Sequence, residues 1–592
     1  MKLISPSNIA KAIKIDRLGK SGTAFGWLLM RVLKLNKINA LYDDIKELKG
    51  LDFINAIFDK LNIDFEIPEE DLKRIPKEGA FISVSNHPLG GLDGILLLKL
   101  ILEQRSDYKV LASFLLQNIA PLQDYLITVN PFENKKELAS SISGLKNALT
   151  YLKEGHGLGI FPAGEVSIYH DNRLIVDKTW DETALKLIYN AKAPIIPIYF
   201  HAKNSRLFYF LSKIHPILRT AKLPSEAISK RRKTIKVRIG KPISVKTQNE
   251  FANHNMLGEF VRKKTYILAK TFEKKRLQNI IPIKPTLKLK KIIAPIATEK
   301  LQKDIEILLK KEDKMLDKNE YIGFLSDAKD MPNIMREIGR LREITFREVG
   351  EGTGKEIDLD KFDKYYKHLI LWDQKKHKIV GAYRMGLGRQ IYKKYGIKGF
   401  YLNELFSFDT EVHEMMSKSI EMGRAFIAKE YQQKAFPLFL LWRGIVHTTL
   451  RYPDHEYLIG PVSISNKFTN FSKSLIVAFM KSYFYDPITA QHIHPNKNFK
   501  VKLTEKDKNF IFSAADKNLV KFDRLIDELE PENLKIPVLL KKYIKQNARL
   551  ISFNVDPNFN NAIDGLMYIK ISDLPEDTVK PVLEEFEKQF EN

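Results

Sequence analysis

Residues 83–95, SVSNHPLGGLDGI, set His87 and Asp93 at the two ends of a glycine-rich bend. A carboxylate beside an imidazole keeps one ring nitrogen protonated and frees the other to take a proton from a hydroxyl. On an ideal helix, residues six apart point roughly 240° apart, so a helix would separate this pair. Pro88, Gly90 and Gly91 disfavour a helix there, and a strand–loop–helix turn could fold the aspartate back onto the ring. The residues alone leave two readings open: a catalytic pair, or a turn with a satisfied histidine. A second turn, FPAGEVSIYH (161–170), follows another apolar run. Its backbone N–H groups, around Gly164 and Glu165, could hold a phosphate or an oxyanion. Ser83, Ser85 and Ser167 lie near these turns, but none sits in a G-x-S-x-G elbow, which disfavours a serine hydrolase.

The second half offers residues suited to amide formation. An amine must lose a proton before it attacks a thioester carbonyl, and a carboxylate, directly or through water, can accept it. SIEMGRAF (419–426) holds Glu421 and Arg424, and IVGAYRMG (379–386) presents Arg384. An arginine fork can grip a carboxylate through two parallel hydrogen bonds. In IGRLREITFRE (338–348), Arg340, Glu343 and Arg347 fall at i, i+3 and i+7, near one helical face and able to pair with each other. The plain alternative there is a salt-bridged surface helix. Glu421 is the first candidate for the base and Glu343 the second.

Such groups need rigid elements to hold them. FISVS (81–85), GLGIFP (157–162) and PIIPIYF (194–200) are short apolar runs flanked by turn residues, with helical patterns over 92–104 and 135–153. That alternation predicts an α/β domain. Strands at 234–239 and 243–245 and a helix near 255–274 would complete it. Residues 276–300, with three prolines and five lysines, read as a basic connector. Beyond them, strands are predicted at 378–384, 398–408 and 456–464, and helices at 332–346, 411–432 and 437–452.

Length and charge bound the rest. A chain of 592 residues has room for about two to four domains. It contains no cysteine, which excludes disulfides, thiolate catalysis and cysteine-ligated metals. The net charge of +25 favours polyanionic partners: nucleic acid, an anionic membrane surface or an acidic protein. No zinc-finger spacing or RNA-binding aromatic signature accompanies that charge. The first residues lack the pattern of a secretory signal, and no apolar run is long enough to span a bilayer. GWLLMRVLKL, starting at Gly26, could lie on a membrane with Arg31 and Lys34 snorkelling, or pack as an ordinary helix.

Taken together and in order, the two N-terminal turns resemble the glycerolipid acyltransferase superfamily. Asn86, His87 and Asp93 match its first motif, FPAGEVS (161–167) its third and APIIPIYF (193–200) its fourth, over roughly residues 60–270. The resemblance implies that His87 deprotonates an acceptor hydroxyl, that Asp93 orients it, and that the acyl group passes directly from a thioester. This chain departs from the pattern in three places. Five residues rather than four separate His87 from Asp93; Ala163 stands where the family has glutamate, with Glu165 after Gly164; and ITVNPF (127–132) offers Asn130 where the family has a basic residue. The departures point away from glycerol 3-phosphate and toward a hydroxyl on another amphiphile.

The second half resembles the N-acyltransferases of ornithine lipid synthesis, which are related to acylhomoserine lactone synthases and GNAT-like in fold. The landmarks are R340-x-R342-E343-x-x-F346-R347, D360-x-x-D363, H368-L369, G381-x-Y383-R384, E421-M422-G423-R424 and G460-P461-V462-S463. This resemblance implies Glu421 or Glu343 as base, with Arg340, Arg347, Arg384 and Arg424 as substrate ligands. The whole chain then resembles a bifunctional ornithine lipid synthase. The expected layout is an α/β O-acyltransferase domain with a mostly parallel sheet over 1–275, a basic linker over 276–320, and a GNAT-like α+β N-acyltransferase domain over 321–592. A small amino acid, ornithine or glycine, would be N-acylated with a 3-hydroxyacyl group, and the N-acyl amino acid then O-acylated. A glycerolipid acyltransferase with a non-catalytic second domain and a basic peripheral membrane-binding protein are the alternatives. Acyl carrier protein is the expected donor and partner, with coenzyme A thioesters as the alternative. No tightly bound cofactor, metal or nucleic acid is expected. The expected location is cytoplasmic, peripheral on the inner face of the cytoplasmic membrane.

Overall fold

The computed structural model describes the chain except residues 1–2, 8–9, 11–16, 18, 114–115, 117–118, 130–137, 171–173, 215, 270–271, 273–288, 312, 506, 510–514, 516, 531–533 and 591–592. It divides into two compact units, Met1–Leu277 and Gln278–Asn592.

The strands of the first unit are β1 (Asp64–Glu66), β2 (Phe81–Ser85), β3 (Tyr108–Ser113), β4 (Leu126–Val129), β5 (Gly157–Ile160), β6 (Ile168–His170), β7 (Leu174–Val176), β8 (Ile195–His201) and β9 (Thr234–Ile239). Seven of them form one sheet in the order β1-β9-β8-β2-β5-β3-β4. All its pairs are parallel except β8–β9. The central strands β2 and β5 are buried along their whole length. This is why they read as unbroken apolar runs: strands in a parallel sheet are covered on both faces. The helices that matter here are α1 (Gly19–Val32), α2 (Gly91–Leu102), α3 (Leu138–Lys153), α4 (Arg206–Ile214), α5 (Pro216–Ser229) and α6 (His254–Ile267). GLDGILLLKLIL in α2 is apolar on nearly every side because the helix lies inside the core, with Leu96, Leu97 and Ile101 wholly enclosed. The strand predicted at 243–245 does not form. Ile243 makes a lone bridge to Ile195, and the Ser244 hydroxyl accepts from Thr247 N–H at 3.2 Å to cap a short helix. Serine at such a position favours the cap over the strand.

The second unit starts with ordered structure inside the stretch expected as a linker. Helix α7 (Thr298–Lys310) spaces Leu301, Ile305 and Leu308 along one face and packs them beside Phe324 and Trp372. Its strands are β10 (Lys314–Lys318), β11 (Tyr321–Asp327), β12 (Lys367–Asp373), β13 (Lys378–Leu387), β14 (Phe406–Phe408), β15 (Ser419–Ile427), β16 (Tyr457–Ile464), β17 (Ile493–Pro495), β18 (Arg549–Asp556) and β19 (Ala562–Lys570). Eight form a sheet ordered β10-β11-β12-β13-β15-β16-β19-β18. All its pairs are antiparallel except β15–β16. Helices α8 (Pro332–Glu348), α9 (His413–Ser417) and α10 (Ala435–Arg451) complete the frame. Two expectations are corrected. The helix predicted over 411–432 is only the short α9 followed by β15, because the sheet claims SIEMGRAFI for a central position and Gly423 costs a helix about 1 kcal/mol. Of the strand predicted over 398–408 only β14 forms, after two 3₁₀ turns.

Candidate functional sites

In the first unit both turns leave the same edge of the sheet, because β2 and β5 are adjacent and parallel. Open α/β sheets place ligands at this carboxyl edge. Gly90, at φ 77°, turns the chain and begins α2. Asp93 sits in the first turn of that helix, fully enclosed, and its Oδ2 accepts from the N–H groups of Leu89 (2.7 Å) and Gly90 (3.1 Å). The same oxygen lies 3.2 Å from His87 Nδ1, which leaves Nε2 as the ring's free nitrogen. Burial raises the Asp93 pKa above the ordinary carboxylate range, against the pull of His87 and the two N–H groups. The imidazole packs on Phe161 of the second turn, ring centres 4.3 Å apart.

A residue absent from the sequence reading ties the two turns together. Asp177 Oδ1 accepts from His87 N–H (3.2 Å) and from the Ser167 hydroxyl (2.6 Å), while Ser167 N–H donates to His87 O (2.8 Å). Asp177 lies beyond the short β6–β7 ribbon, and no local spacing marks it. Ser167 is thereby a buried strut. Asn86 is another: its amide exchanges hydrogen bonds with Phe200 across to β8, at 2.8 and 3.1 Å, and fixes the residue before His87. Gly164 takes φ 63° at the tip of the second turn. Glu165 beside it binds Lys178 (2.8 Å) and Arg219 of α5 (2.9 Å), and these cations outweigh burial to lower its pKa. Asn130 lies outside the described residues.

In the second unit, Glu421 is fully buried on β15 and its Oε2 accepts from the Tyr366 hydroxyl at 2.6 Å. Tyr366 in turn accepts from Tyr401 N–H at 3.0 Å. Burial lifts the Glu421 pKa to about 7, opposed by Tyr366, Arg384 and backbone N–H groups of Leu402 and Tyr401. The ladder between β15 and β16 runs only from Ser419↔Tyr457 to Glu421↔Ile459, so Glu421 stands where pairing between the two parallel strands stops. Arg424 follows in a β-bulge. The register with β13 slips between Ala382 and Arg384, and Arg424 adopts φ 49°, a left-handed conformation rare for a side chain this long. Bulges of this kind re-aim a side chain. Here the guanidinium lies over Tyr401 (5.2 Å) and Phe559 (5.0 Å), within 3.6 Å of Asp358 and Asp360. Arg384 is buried against Asp360 (2.7 Å) and also lies over Tyr401.

The α8 residues separate from the expected set. Arg340 pairs with Glu337 (2.9 Å), not with Glu343. Glu343 accepts from Arg347 (2.6 Å), from the Thr353 hydroxyl (2.6 Å) and from Gly354 N–H (2.8 Å). Those donors overcome burial and hold its pKa below the usual range. A carboxylate so occupied is a fastening for the 353–354 loop. The residue α8 contributes to the charged cluster is Arg342, which binds Asp363 at 2.8 Å. Tyr366 and Tyr401 were missed as site residues, although Tyr366 stands between two quoted landmarks, Asp363 and His368.

Comparison with known proteins divides at the same place. Residues 9–274 match the family described as Acyltransferase, and residues 341–442 match the Acetyltransferase (GNAT) domain. The chain is 28% identical over 317 residues to the Glycine N(alpha)-acyltransferase of Phocaeicola vulgatus, covering 51% of this chain and 95% of that protein. It is also 28% identical over 249 residues to the Lyso-glycine lipid O-acyltransferase of Bacteroides thetaiotaomicron, covering 40% of this chain and 88% of that protein. A solved 1-acyl-sn-glycerophosphate acyltransferase from Thermotoga maritima aligns with a TM-score of 0.25 at 16% identity, over 45% of this chain and 95% of that one, which adds nothing to the fold assignment. The chain is an acyltransferase that joins an acyltransferase domain to a GNAT domain.

Proposed function

We propose that the chain builds a di-acylated aminolipid in two successive acyl transfers. In the second unit the amine of a small amino acid attacks a 3-hydroxyacyl thioester. The N–C bond forms, the thiolate leaves, and the amine's proton passes to Glu421. In the first unit the hydroxyl of that product attacks a second acyl thioester. His87 Nε2 takes the hydroxyl proton and returns it to the departing thiolate, while Asp93 steadies the imidazolium. The observation carrying this reading is that one chain holds two differently built proton acceptors, a histidine–aspartate pair at a sheet edge and a buried glutamate among arginines. The likeness to both an N-acyltransferase and an O-acyltransferase supports it. The former covers more of the chain than the 277 residues of the first unit, so it reaches into the second.

The relatives' names favour glycine as the acceptor, with ornithine as the alternative; Arg424 and Arg384 are the groups that would take its carboxylate. Acyl carrier protein is the donor favoured by the chain's charge of +25, since an acidic partner is steered to a basic surface. No helix among the described residues is long and apolar enough to cross a membrane. We assign peripheral contact to one face of the first unit. Phe25, Trp27, Leu28 and Val32 of α1 and Leu207, Phe210 and Ile214 of α4 are exposed, while Met30 and Leu211 pack together between the two helices. Arg31 covers Trp27 at 5.9 Å, an arrangement suited to the headgroup boundary.

Purified full-length protein supplied with glycine or ornithine, a 3-hydroxyacyl thioester and a second acyl thioester should yield the mono- and then the di-acylated amino acid by mass spectrometry. Acylation of lysophospholipid alone, with neither amino acid consumed, would overturn the assignment.

A further inference from the structure

We propose that Asp409, Glu411, His492 and His494, on the surface of the second unit, bind a divalent transition-metal ion of the zinc type. Strands β14 and β17 pair antiparallel, with Ser407 opposite His494 and Phe408 opposite Ile493. Side chains alternate along a strand, so His492 and His494 project to one face while Ile493 between them enters the core. Asp409 follows β14 directly and donates its N–H to His492 O at 3.0 Å, which brings its carboxylate to the same face. It also begins the 3₁₀ turn Thr410–Val412, and that turn carries Glu411 alongside.

The donor atoms are spaced as an ion would require. Asp409 Oδ2 lies 3.6 Å from His492 Nδ1, both Asp409 oxygens lie 3.2 Å from His494 Nε2, and Glu411 Oε2 lies 3.9 Å from His492 Nδ1. Asp409, Glu411 and His492 each offer a ligand atom within 4.8 Å of the others. Four ligands at about 2.0–2.1 Å from a tetrahedral ion stand roughly 3.3–3.4 Å apart, so closure needs shifts of well under an ångström for the first three. His494 joins as the fourth by a small ring movement. An outer partner is also present: the Gln491 amide lies 3.1 Å from His492 Nε2. With Nδ1 on the ion, Nε2 carries the proton, and the amide turned to present its oxygen accepts it, as metal-bound imidazoles require. Two imidazoles and two carboxylates, with no thiolate in the chain, suit zinc, cobalt or nickel better than calcium or magnesium. All four ligands lie far in sequence from Glu421's hydrogen-bond chain, and the ion's role is to fasten the 406–411 segment to β17. That segment begins five residues after Tyr401, whose N–H supports Tyr366.

The test uses full-length, tag-free protein, with zinc chloride as the probe in calorimetric titration and thermal melting with and without a chelator. Wild type should bind one strong equivalent and melt higher with zinc than without. Asp409→Ala and His492→Ala should each weaken that equivalent by at least about tenfold and abolish the zinc-dependent rise. Asp409→Asn and His492→Gln, which keep shape and hydrogen bonding, should do the same with an unchanged metal-free melting temperature. The proposal is overturned if wild type takes up no zinc at 100 μM, a concentration of about 10⁻⁴ M that exceeds any useful site affinity. It is equally overturned if the isosteric variants bind zinc as wild type does, because the ion would then sit among other histidines.

Discussion

His87 can act as a base only because its surroundings fix the ring. Nδ1 is turned to a carboxylate that two backbone N–H groups already hold, and Asp177 and Asn86 pin the backbone on either side. Removing the ring should lower O-acylation by about 10²–10⁴-fold and leave N-acylation intact, so His87→Ala protein should accumulate the mono-acylated amino acid in lipid extracts. Full di-acylated product from that variant would exclude the role. Asp93→Asn is a less clean probe because the same carboxylate closes the start of α2. At the second site, a carboxyl with a pKa of about 7 becomes a base as pH rises through neutrality, so kcat for N-acylation should climb across that range. Glu421→Gln should lose this activity at every pH. Stability moves the other way. A raised carboxyl pKa favours the neutral form in the fold, so the contribution of Glu421 is complete below its ordinary value and is lost as pH passes about 7. Glu421→Gln should therefore melt at or above the wild type at pH 8. A lower melting temperature there, with activity retained, would assign Glu421 to structure and return the base to another group.

At the scale of elements, α1 and α4 each show two faces. In α1, Gly22, Gly26 and Met30 point inward while Phe25, Trp27, Leu28 and Val32 stay in water. Each large apolar side chain that leaves water contributes roughly 1.5–3 kcal/mol, about tenfold or more in partitioning. Trp27→Glu combined with Phe210→Glu should thus cut co-sedimentation with anionic vesicles by at least about a hundredfold in affinity without lowering the melting temperature. Unchanged sedimentation would place the lipid face elsewhere. The outer stripe of α1 was visible in GWLLMRVLKL, but its companion in α4 was not, since only folding brings Leu211 against Met30. The same division runs through both sites. β2, β5 and β8 were legible because parallel strands are apolar throughout, and His87–Asp93 because the glycines of the bend announce a turn. β15 was misread as helix because its place between β13 and β16 overrides local propensity, and with it went the bulge that aims Arg424. Asp177, Tyr366 and Tyr401 act through contacts across 90, 55 and 35 residues of chain, distances at which periodicity carries no information.

At the scale of the whole molecule, the two units have separate sheets and separate cores, and the proposed reactions meet only through the mono-acylated intermediate. That intermediate has one acyl chain, and a single chain of about fourteen carbons binds bilayers only marginally and reversibly, with a partition constant near 10⁴ M⁻¹. It should therefore exchange between protein molecules sharing the same vesicles rather than stay with the chain that made it. Two full-length variants, His87→Ala and Glu421→Gln, are each expected to make no di-acylated product from amino acid and thioesters. Mixed on common vesicles, they should restore it, with a lag while the intermediate accumulates. Supplied N-(3-hydroxyacyl) glycine should be converted at once by Glu421→Gln protein and not at all by His87→Ala protein. If the mixture stays inactive while Glu421→Gln protein still converts the supplied intermediate, the product of the first transfer never leaves its own chain, and direct transfer between the two sites replaces exchange through the membrane. If Glu421→Gln protein converts neither, the first unit does not act on this intermediate and the two-step scheme fails at its second step.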